Sequence, residues 1–362
     1  MAKKKLSATT DFKQLKSMDA IIICVPTPLR KSKDPDVSYI ISATDQVVAN
    51  LRKGQIIVLE STTYPGTTSE LVLPMLEKSG LKCGKDFFLA FSPERVDPGN
   101  KLYNIHNTPK VVGGIGEPAS KLAAELYSKV TAKVHLVSST EAAEMVKLLE
   151  NTFRAVNIAL VNEVALMCNR LNLDVWEIID AAASKPFGFI PFYPGPGIGG
   201  HCIPLDPHYL SWKLKTLNFY SRFIELAGEM NSKMPEVLVQ KIVAALNDKC
   251  IAIRNAKVLV VGVAYKKDVG DLRESPALDV VNLLLKLKAK VAYYDPYVAE
   301  MRLEGTCLKS VKNLNKIGTY DCAVIVTNHT ILDYAAIVKN AKLVIDSRNA
   351  TRGIKSKKVE KL

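Results

Sequence analysis

Between residues 19 and 138 the chain alternates short, uninterrupted apolar runs rich in β-branched residues with longer stretches whose apolar positions recur every three or four residues. An unbroken apolar run suits a strand buried on both faces, and a three-to-four spacing marks a helix with one buried face. The alternation therefore predicts a parallel sheet flanked by helices. Strands are predicted at Ala20 to Val25, Gln55 to Leu59, Phe87 to Phe91 and Val134 to Val137, with helices over Val37 to Arg52 and Thr67 to Ser79. From Ser139 to about Asn247 the strand pattern disappears and long helices take over, opened by Thr140-Glu141-Ala142-Ala143-Glu144 as a start signal. A second α/β pattern follows. It comprises a strand at Lys257 to Gly262, a helix at Ser275 to Leu287, and strands at Lys290 to Tyr294, Cys322 to Val326 and Leu343 to Asp346. The predicted fold class is thus α/β, two Rossmann-like parallel-sheet domains, 1–138 and 248–362, joined by a central helical region, 139–247.

Composition narrows the class without changing it. With 362 residues, 48% of them hydrophobic and 23% charged, the chain is an ordinary globular protein with room for two or three cores. No run is long enough to span a membrane, and Met1-Ala2-Lys3-Lys4-Lys5 is followed by no apolar signal core, so the expected location is the cytoplasm. Seven cysteines, an odd and scattered set with no Cys-x-x-Cys or Cys/His cluster, point to reduced thiols and to no metal site. The net charge of +13 is dispersed apart from short lysine clusters at the two ends. It lacks the basic stripe interleaved with aromatics that nucleic-acid binding needs, and it reads mainly as solvated surface, which accounts for the charge as well as a phosphorylated substrate and cofactor would.

The chemistry concentrates at Pro194-Gly195-Pro196-Gly197-Ile198-Gly199-Gly200-His201-Cys202-Ile203-Pro204-Leu205-Asp206-Pro207. Four glycines in six residues let a backbone approach a bulky ligand closely, and one cysteine and one carboxylate follow directly behind them. The pattern reads as a nucleophile presented to a phosphorylated substrate. Cys24, Cys83, Cys168, Cys250, Cys307 and Cys322 have no such setting and are expected to be structural. Lys147 and Asn151, four apart, share one face of the first long helix.

This loop resembles the active-site loop of the nucleotide-sugar 6-dehydrogenases, the UDP-glucose dehydrogenase superfamily. Lys185-Pro186-Phe187-Gly188-Phe189-Ile190-Pro191-Phe192-Tyr193, leading into it, most resembles the UDP-N-acetylglucosamine branch. Family-like blocks recur in order from about Leu6 to about Gly353: Cys24 to Pro28, Glu60-Ser61-Thr62, Ser92-Pro93-Glu94-Arg95, Lys147 to Asn151, the cysteine loop, and Tyr265-Lys266-Lys267-Asp268.

The resemblance implies an NAD-dependent, two-step oxidation of a UDP-N-acetylhexosamine, in the gluco configuration, at C6. UDP-glucose and UDP-N-acetylmannosamine are the competing substrates. Cys202 takes the role of nucleophile, forming a thiohemiacetal and then a thioester. Lys147 and Asn151 donate to the oxyanions, Asp206 and Glu94 handle protons and the hydrolytic water, and Thr62 helps to hold that water. Carried over in the same way, the cofactor contacts are Val25, Pro26, Thr27, Ser61, Thr62, Glu94 and Arg273. The substrate contacts are Lys147, Asn151, Tyr193, Gly197, Gly199, Lys266 and Arg348. Phe192 and Tyr193 line the sugar or uridine pocket, or pack as loop-core aromatics. The first domain would bind NAD, the central helices would make a homodimer or larger homo-oligomer, and the last domain would bind UDP.

One family feature is missing. A dinucleotide-binding domain opens with a strand and Gly-x-Gly-x-x-Gly at a helix N-terminus, followed by an acidic residue for the ribose. Here Gly197-Ile198-Gly199 lies inside the helical region, and Gly113-Gly114-Ile115-Gly116 has the wrong spacing. Relative to the family, roughly the first seventy residues are expected to be absent, which leaves the domain incomplete and makes the Ile21 to Val25 strand an edge. That opens an alternative: a truncated, catalytically silent UDP-sugar-binding or subunit-interaction protein.

Overall fold

The computed structural model describes residues 6–30, 34–97, 99–100, 102–303 and 305–362, so the lysines at 3–5 lie outside the described residues. The chain divides into two compact units, Met1–Asn151 with Leu205–Tyr220, and Thr152–Pro204 with Ser221–Leu362.

The first unit is built on a five-stranded sheet of order β1-β2-β3-β4-β5. Its strands are β1 (Ala20–Ile23), β2 (Ile56–Leu59), β3 (Phe88–Phe91), β4 (Lys110–Gly114) and β5 (Val134–Leu136), parallel except for the β3–β4 pair. The helices are α1 (Ser38–Val48), a π-helical turn at Thr67–Val72 that runs into α2 (Leu73–Glu77), and α3 (Glu117–Ser128). All four residues of β2 are buried. Ile57 and Leu59 join Leu89, Ile40, Val47 and Leu76 in one core, while Ile56 and Val58 join Ala90, Val112, Ala123 and Tyr127 in the other. That division is the period-two alternation of a strand covered on both faces, and burying each such side chain stabilises the unit by roughly 1.5–3 kcal/mol.

β1 occupies the sheet edge, as the sequence predicts, and its Ile22 stays 43% exposed. β4 and α3 are not among the predicted elements. β4 has only two apolar residues, and its glycines serve close packing: a Cβ on Gly113 would run into the Ser139 carbonyl oxygen, and one on Gly114 into the Ser120 nitrogen.

The second unit carries an all-parallel sheet of order β12-β11-β10-β6-β7. Its strands are β6 (Lys257–Val261), β7 (Lys290–Tyr294), β10 (Cys322–Ile325), β11 (Val344–Asp346) and β12 (Val359–Lys361), with a small antiparallel hairpin of β8 (Glu300–Leu303) and β9 (Thr306–Lys309). Val258, Val260, Val324 and Ile345 pack against α7 (Arg222–Asn247) and α8 (Pro276–Lys286). Leu259, Val261, Ala323 and Ile325 pack against α9 (Tyr334–Asn340). α8 starts where Ser275 accepts a bond from the Ala277 amide and Pro276 takes the first helical position, where its missing N–H costs nothing.

The predicted helical stretch is present as α4 (Thr140–Leu171), α5 (Val175–Ala183), α6 (Cys202–Lys215) and α7, with no strand among them. α4 begins at the predicted Thr140. Among the described residues no helix is long and apolar enough to cross a membrane, no group of three or more His, Cys, Asp and Glu side chains could hold a metal ion, and no cysteine is in a disulfide.

Candidate active site

In the second unit the glycine loop folds over the carboxyl ends of β6, β10 and β11, the edge at which open α/β sheets bind ligands. Two glycines show why. A Cβ on Gly199 would sit 2.7 Å from both the Glu274 carbonyl oxygen and the Tyr265 Cβ, and Gly200 has φ +87° with the Tyr265 ring where its Cβ would be. The Gly200 amide donates to the Arg273 carbonyl at 2.9 Å, and the Gly195 amide donates to Asn162 Oδ1 at 2.9 Å. These two loop amides are therefore held by the protein itself.

Arg348 packs its guanidinium against Gly195 and donates through Nε to the Val326 carbonyl at 3.0 Å, while its own amide donates to Asp346. Burial pulls the guanidinium down from its ordinary value, against the charge of Asp346. Lys266 lies half-buried in the turn after β6. That turn is clamped. Asp295, at the end of β7, accepts from the Val263 and Ala264 amides at 2.7 and 3.1 Å and lies 2.9 Å from Nε2 of the fully buried His329. His329 Nδ1 accepts from the Asp268 amide at 2.9 Å, so its proton resides on Nε2 and is donated to Asp295.

Tyr193 lies with its ring on Trp176, 5.8 Å between centroids, and donates its hydroxyl to Asp180 at 2.9 Å. Arg273 is exposed and pairs with Asp271 at 2.7 Å. Cys202, exposed, is the first residue of α6 rather than part of the loop.

The first unit holds the buried carboxylate. Asp206 is 2% exposed, and its Oδ2 accepts from Asn151 Nδ2 at 2.5 Å. Burial pushes its carboxyl up to about 7, opposed by the Lys147 charge and the Asn151 bond. Lys147 and Asn151 project from the same face of α4, as their spacing requires. One turn earlier on that face, Glu144 accepts from the Gly66 and Thr68 amides at 2.6 and 2.9 Å and from the Thr68 hydroxyl. Burial raises this carboxyl too, to about 7. Arg95 ties the Ser92–Arg95 segment to α4 through Glu150 at 2.6 Å.

Sequence comparison assigns all three regions. The NAD binding domain of the UDP-glucose/GDP-mannose dehydrogenase family matches residues 1–131, its central domain residues 141–233 and its UDP binding domain residues 259–353. The chain belongs to this family. It is 37% identical to the UDP-N-acetyl-D-glucosamine 6-dehydrogenase of Pseudomonas aeruginosa over 297 residues, 82% of this chain and 70% of that protein. It is also 37% identical to the UDP-N-acetyl-D-mannosamine dehydrogenase of Pyrococcus horikoshii over 351 residues, 95% and 81%. Among solved structures, the UDP-D-ManNAc dehydrogenase from Pyrococcus horikoshii superposes with a TM-score of 0.88 at 36% identity, covering 98% of this chain and 83% of that one.

For a dehydrogenase of this family the first unit must accommodate a dinucleotide. Val25, Pro26 and Thr27 leave β1, Ser61 and Thr62 leave β2, and Glu94 follows β3, so all six line the carboxyl edge of the sheet. Ser61 Oγ accepts from the Val25 amide at 2.7 Å and donates to the Val25 carbonyl at 2.8 Å, and Tyr209 donates to the Thr27 carbonyl, so the turn is rigid. These residues fit one end of a dinucleotide. Residues 1–151 contain no Gly-x-Gly-x-x-Gly to cradle a pyrophosphate; the spacing occurs at Gly195, Gly197 and Gly200, in the loop before α6 rather than between a strand and a helix of this sheet. Glu94 is exposed and accepts from its neighbouring amides, Arg95 and Val96, at 2.7 and 2.6 Å.

Sequence reasoning missed the side chains that hold these groups in place. Lys110, 5% exposed, pairs with Glu60 at 2.7 Å and reaches Glu94 at 3.4 Å, while Tyr127 donates to Glu60 at 2.7 Å. Nothing in the pattern distinguishes Lys110 from a surface lysine. Asn162 was findable, because it lies eleven residues beyond Asn151, three helical turns on and near the same face.

Proposed function

We propose that the chain oxidises the C6 alcohol of a UDP-N-acetylhexosamine, in the gluco configuration, to the carboxylate, consuming water and reducing two NAD+ to two NADH with release of three protons. The observation that carries this reading is Asp206, a carboxyl poised near neutrality, bonded to Asn151 and one helical turn along α6 from Cys202. NAD, when bound, would supply the hydride acceptor for each oxidation. The Cys202 thiolate adds to the C6 aldehyde to form a thiohemiacetal, whose oxidation gives a thioester that water then cleaves. Lys147 and Asn151 donate to the oxyanion of each tetrahedral species, Asp206 exchanges the protons, and Glu94 with Thr62 holds the hydrolytic water.

Val25, Pro26, Thr27, Ser61, Thr62, Glu94 and Arg273 would hold the cofactor. Gly197, Gly199, Tyr193, Lys266 and Arg348 would hold the UDP-sugar. The working division is a cofactor region at 1–138, central helices at 139–247 and a UDP region at 248–362. Phe153, Leu160, Met167 and Leu171 on α4 are exposed large apolar side chains, as are Phe187 and Ile190, and exposed apolar side chains along one helix support a homodimer.

Calorimetric titration with NAD and with UDP-N-acetylglucosamine separately, followed by NADH formation on UDP-N-acetylglucosamine, UDP-N-acetylmannosamine and UDP-glucose, tests the reading. Uronate from the first sugar at the highest kcat/KM is expected. Binding of the sugar with no detectable NAD binding would overturn the activity and leave a UDP-sugar-binding protein.

A further inference from the structure

The loop that delivers Cys202 is fastened by one chain of side-chain amides inside the second unit. Gly195 N–H donates to Asn162 Oδ1 at 2.9 Å. Asn162 Nδ2 donates to Asn231 Oδ1 at 3.0 Å, and Asn231 Nδ2 donates to the Ala155 carbonyl at 3.0 Å. The two ends of this chain fix its direction. A backbone N–H can only donate and a backbone carbonyl can only accept, so both side-chain amides have a single permitted orientation. Asn162 is fully buried and Asn231 is 8% exposed, which makes each bond costly to leave unmade.

A second contact converges on the same place. Pro235, inside α7, has no N–H to give the Asn231 carbonyl four residues back, and Gly197 rests there: a Cβ on Gly197 would lie 3.1 Å from that oxygen and 3.6 Å from Pro235 Cδ. Asn162 thus fastens Gly195, and Asn231 both orients Asn162 and provides the surface on which Gly197 lies.

We infer that Asn162 is a positioning residue for the UDP-sugar, acting through the loop 195–200, with Asn231 fixing its orientation. The inference deepens the proposed function and rests on the reading that this loop receives the nucleotide sugar. Asn162 touches no ligand in this scheme. Its role is to hold the loop in the receiving conformation before the ligand arrives, so that binding does not bear the ordering cost.

The full chain serves for the test. In the wild type, hydrogen exchange should show the Gly195 amide protected to the level of helix amides while residues 187–190 exchange at once. Asn162→Ala should speed exchange across 195–200 at least tenfold and weaken UDP binding about tenfold, which is about 1.4 kcal/mol. Asn162→Asp keeps an oxygen for Gly195 N–H and loses the donor to Asn231. It should therefore lower stability and yet restore loop protection and UDP affinity to within about threefold of wild type.

Exchange at β6 reports whether either variant is folded. An unprotected Gly195 in the wild type, or Asp and Ala variants that are equally loose and equally weak for UDP, would overturn the inference. If the wild type binds no UDP at all, the function proposed above fails, while the exchange measurements still decide the role of Asn162.

Discussion

Replacing Asp206 by asparagine removes an ionisable proton and almost no volume, and the buried setting turns this into a pH-dependent gain. Folding raises the carboxyl from 3.8 to about 7. A group whose folded value is the higher one favours the folded state in acid, and that contribution is lost as pH rises through the folded value. Each pH unit between the unfolded and folded values adds roughly 1.4 kcal/mol to the cost of ionising the buried acid. That cost is about 4 kcal/mol above pH 8 and falls to between roughly 1 and 2 kcal/mol at pH 5. Asparagine at 206 carries no ionisation cost and still offers an oxygen to Asn151 Nδ2. The advantage of Asp206→Asn over wild type should therefore grow by roughly 3 kcal/mol between pH 5 and pH 9. Glu144, also near 7, is present in both proteins and cancels from the difference.

The assay is urea unfolding followed by Trp212 fluorescence in a Trp176→Phe background. The chain has two tryptophans, and Trp212 belongs to the unit that contains Asp206. Uronate formation should collapse in the same variant, so stability and activity move in opposite directions. A stability difference that stays flat from pH 5 to pH 9, or favours wild type at pH 9, would show that burial does not raise the Asp206 carboxyl.

Four further outcomes are expected. Cys202→Ala should abolish uronate formation and leave UDP-sugar affinity within a few-fold by calorimetry, because the loop, Lys266 and Arg348 are untouched. Lys147→Ala and Asn151→Ala should each lower kcat on the order of a hundredfold with a much smaller change in KM; a change in KM alone for Lys147→Ala would reassign it to substrate binding. Gly199→Ala places a methyl 2.7 Å from the Glu274 carbonyl and Tyr265, so it should cost about 1–3 kcal/mol in unfolding measurements and weaken UDP binding. Hydrogen exchange should be faster at β1, on a sheet edge, than at β6, which lies between β10 and β7; equal protection would mean that the edge is covered.

The elements legible in the sequence are those whose burial leaves a long pattern. β2, β6 and β10 are continuous apolar runs because both faces are covered, and α4 is a sustained helical period with a clear start. β4 escaped because two of its five residues are glycines chosen for the close approach of Ser139 and Ser120, so the residues that make it fit also erase its strand character. At the candidate site, Cys202 stands out in the sequence because its glycine context is rare, and Asp206 and Asn151, which the structure bonds to each other, because a family-like motif contains them. Lys110, His329 and Asn231 were not. Each owes its importance to partners far away in sequence, Glu60, Asp295 and Asn162, and no local spacing encodes such a pairing.

The clamp at the end of β7 bears on how this unit could ever change its ligand. In a dinucleotide half-domain an acid after the second strand reaches out to a ribose hydroxyl, and by wiring Asp295 stands at that station, after the strand that follows β6 and α8. Here both of its oxygens face inward, to Val263, Ala264, Tyr297 and His329. Ribose discrimination on this sheet must come from some other group. Retargeting the unit toward an adenine dinucleotide would take more than a new glycine turn. It would first require another residue to hold the turn after β6, since freeing Asp295 for a ligand would leave the Val263 and Ala264 amides and the His329 proton without an acceptor.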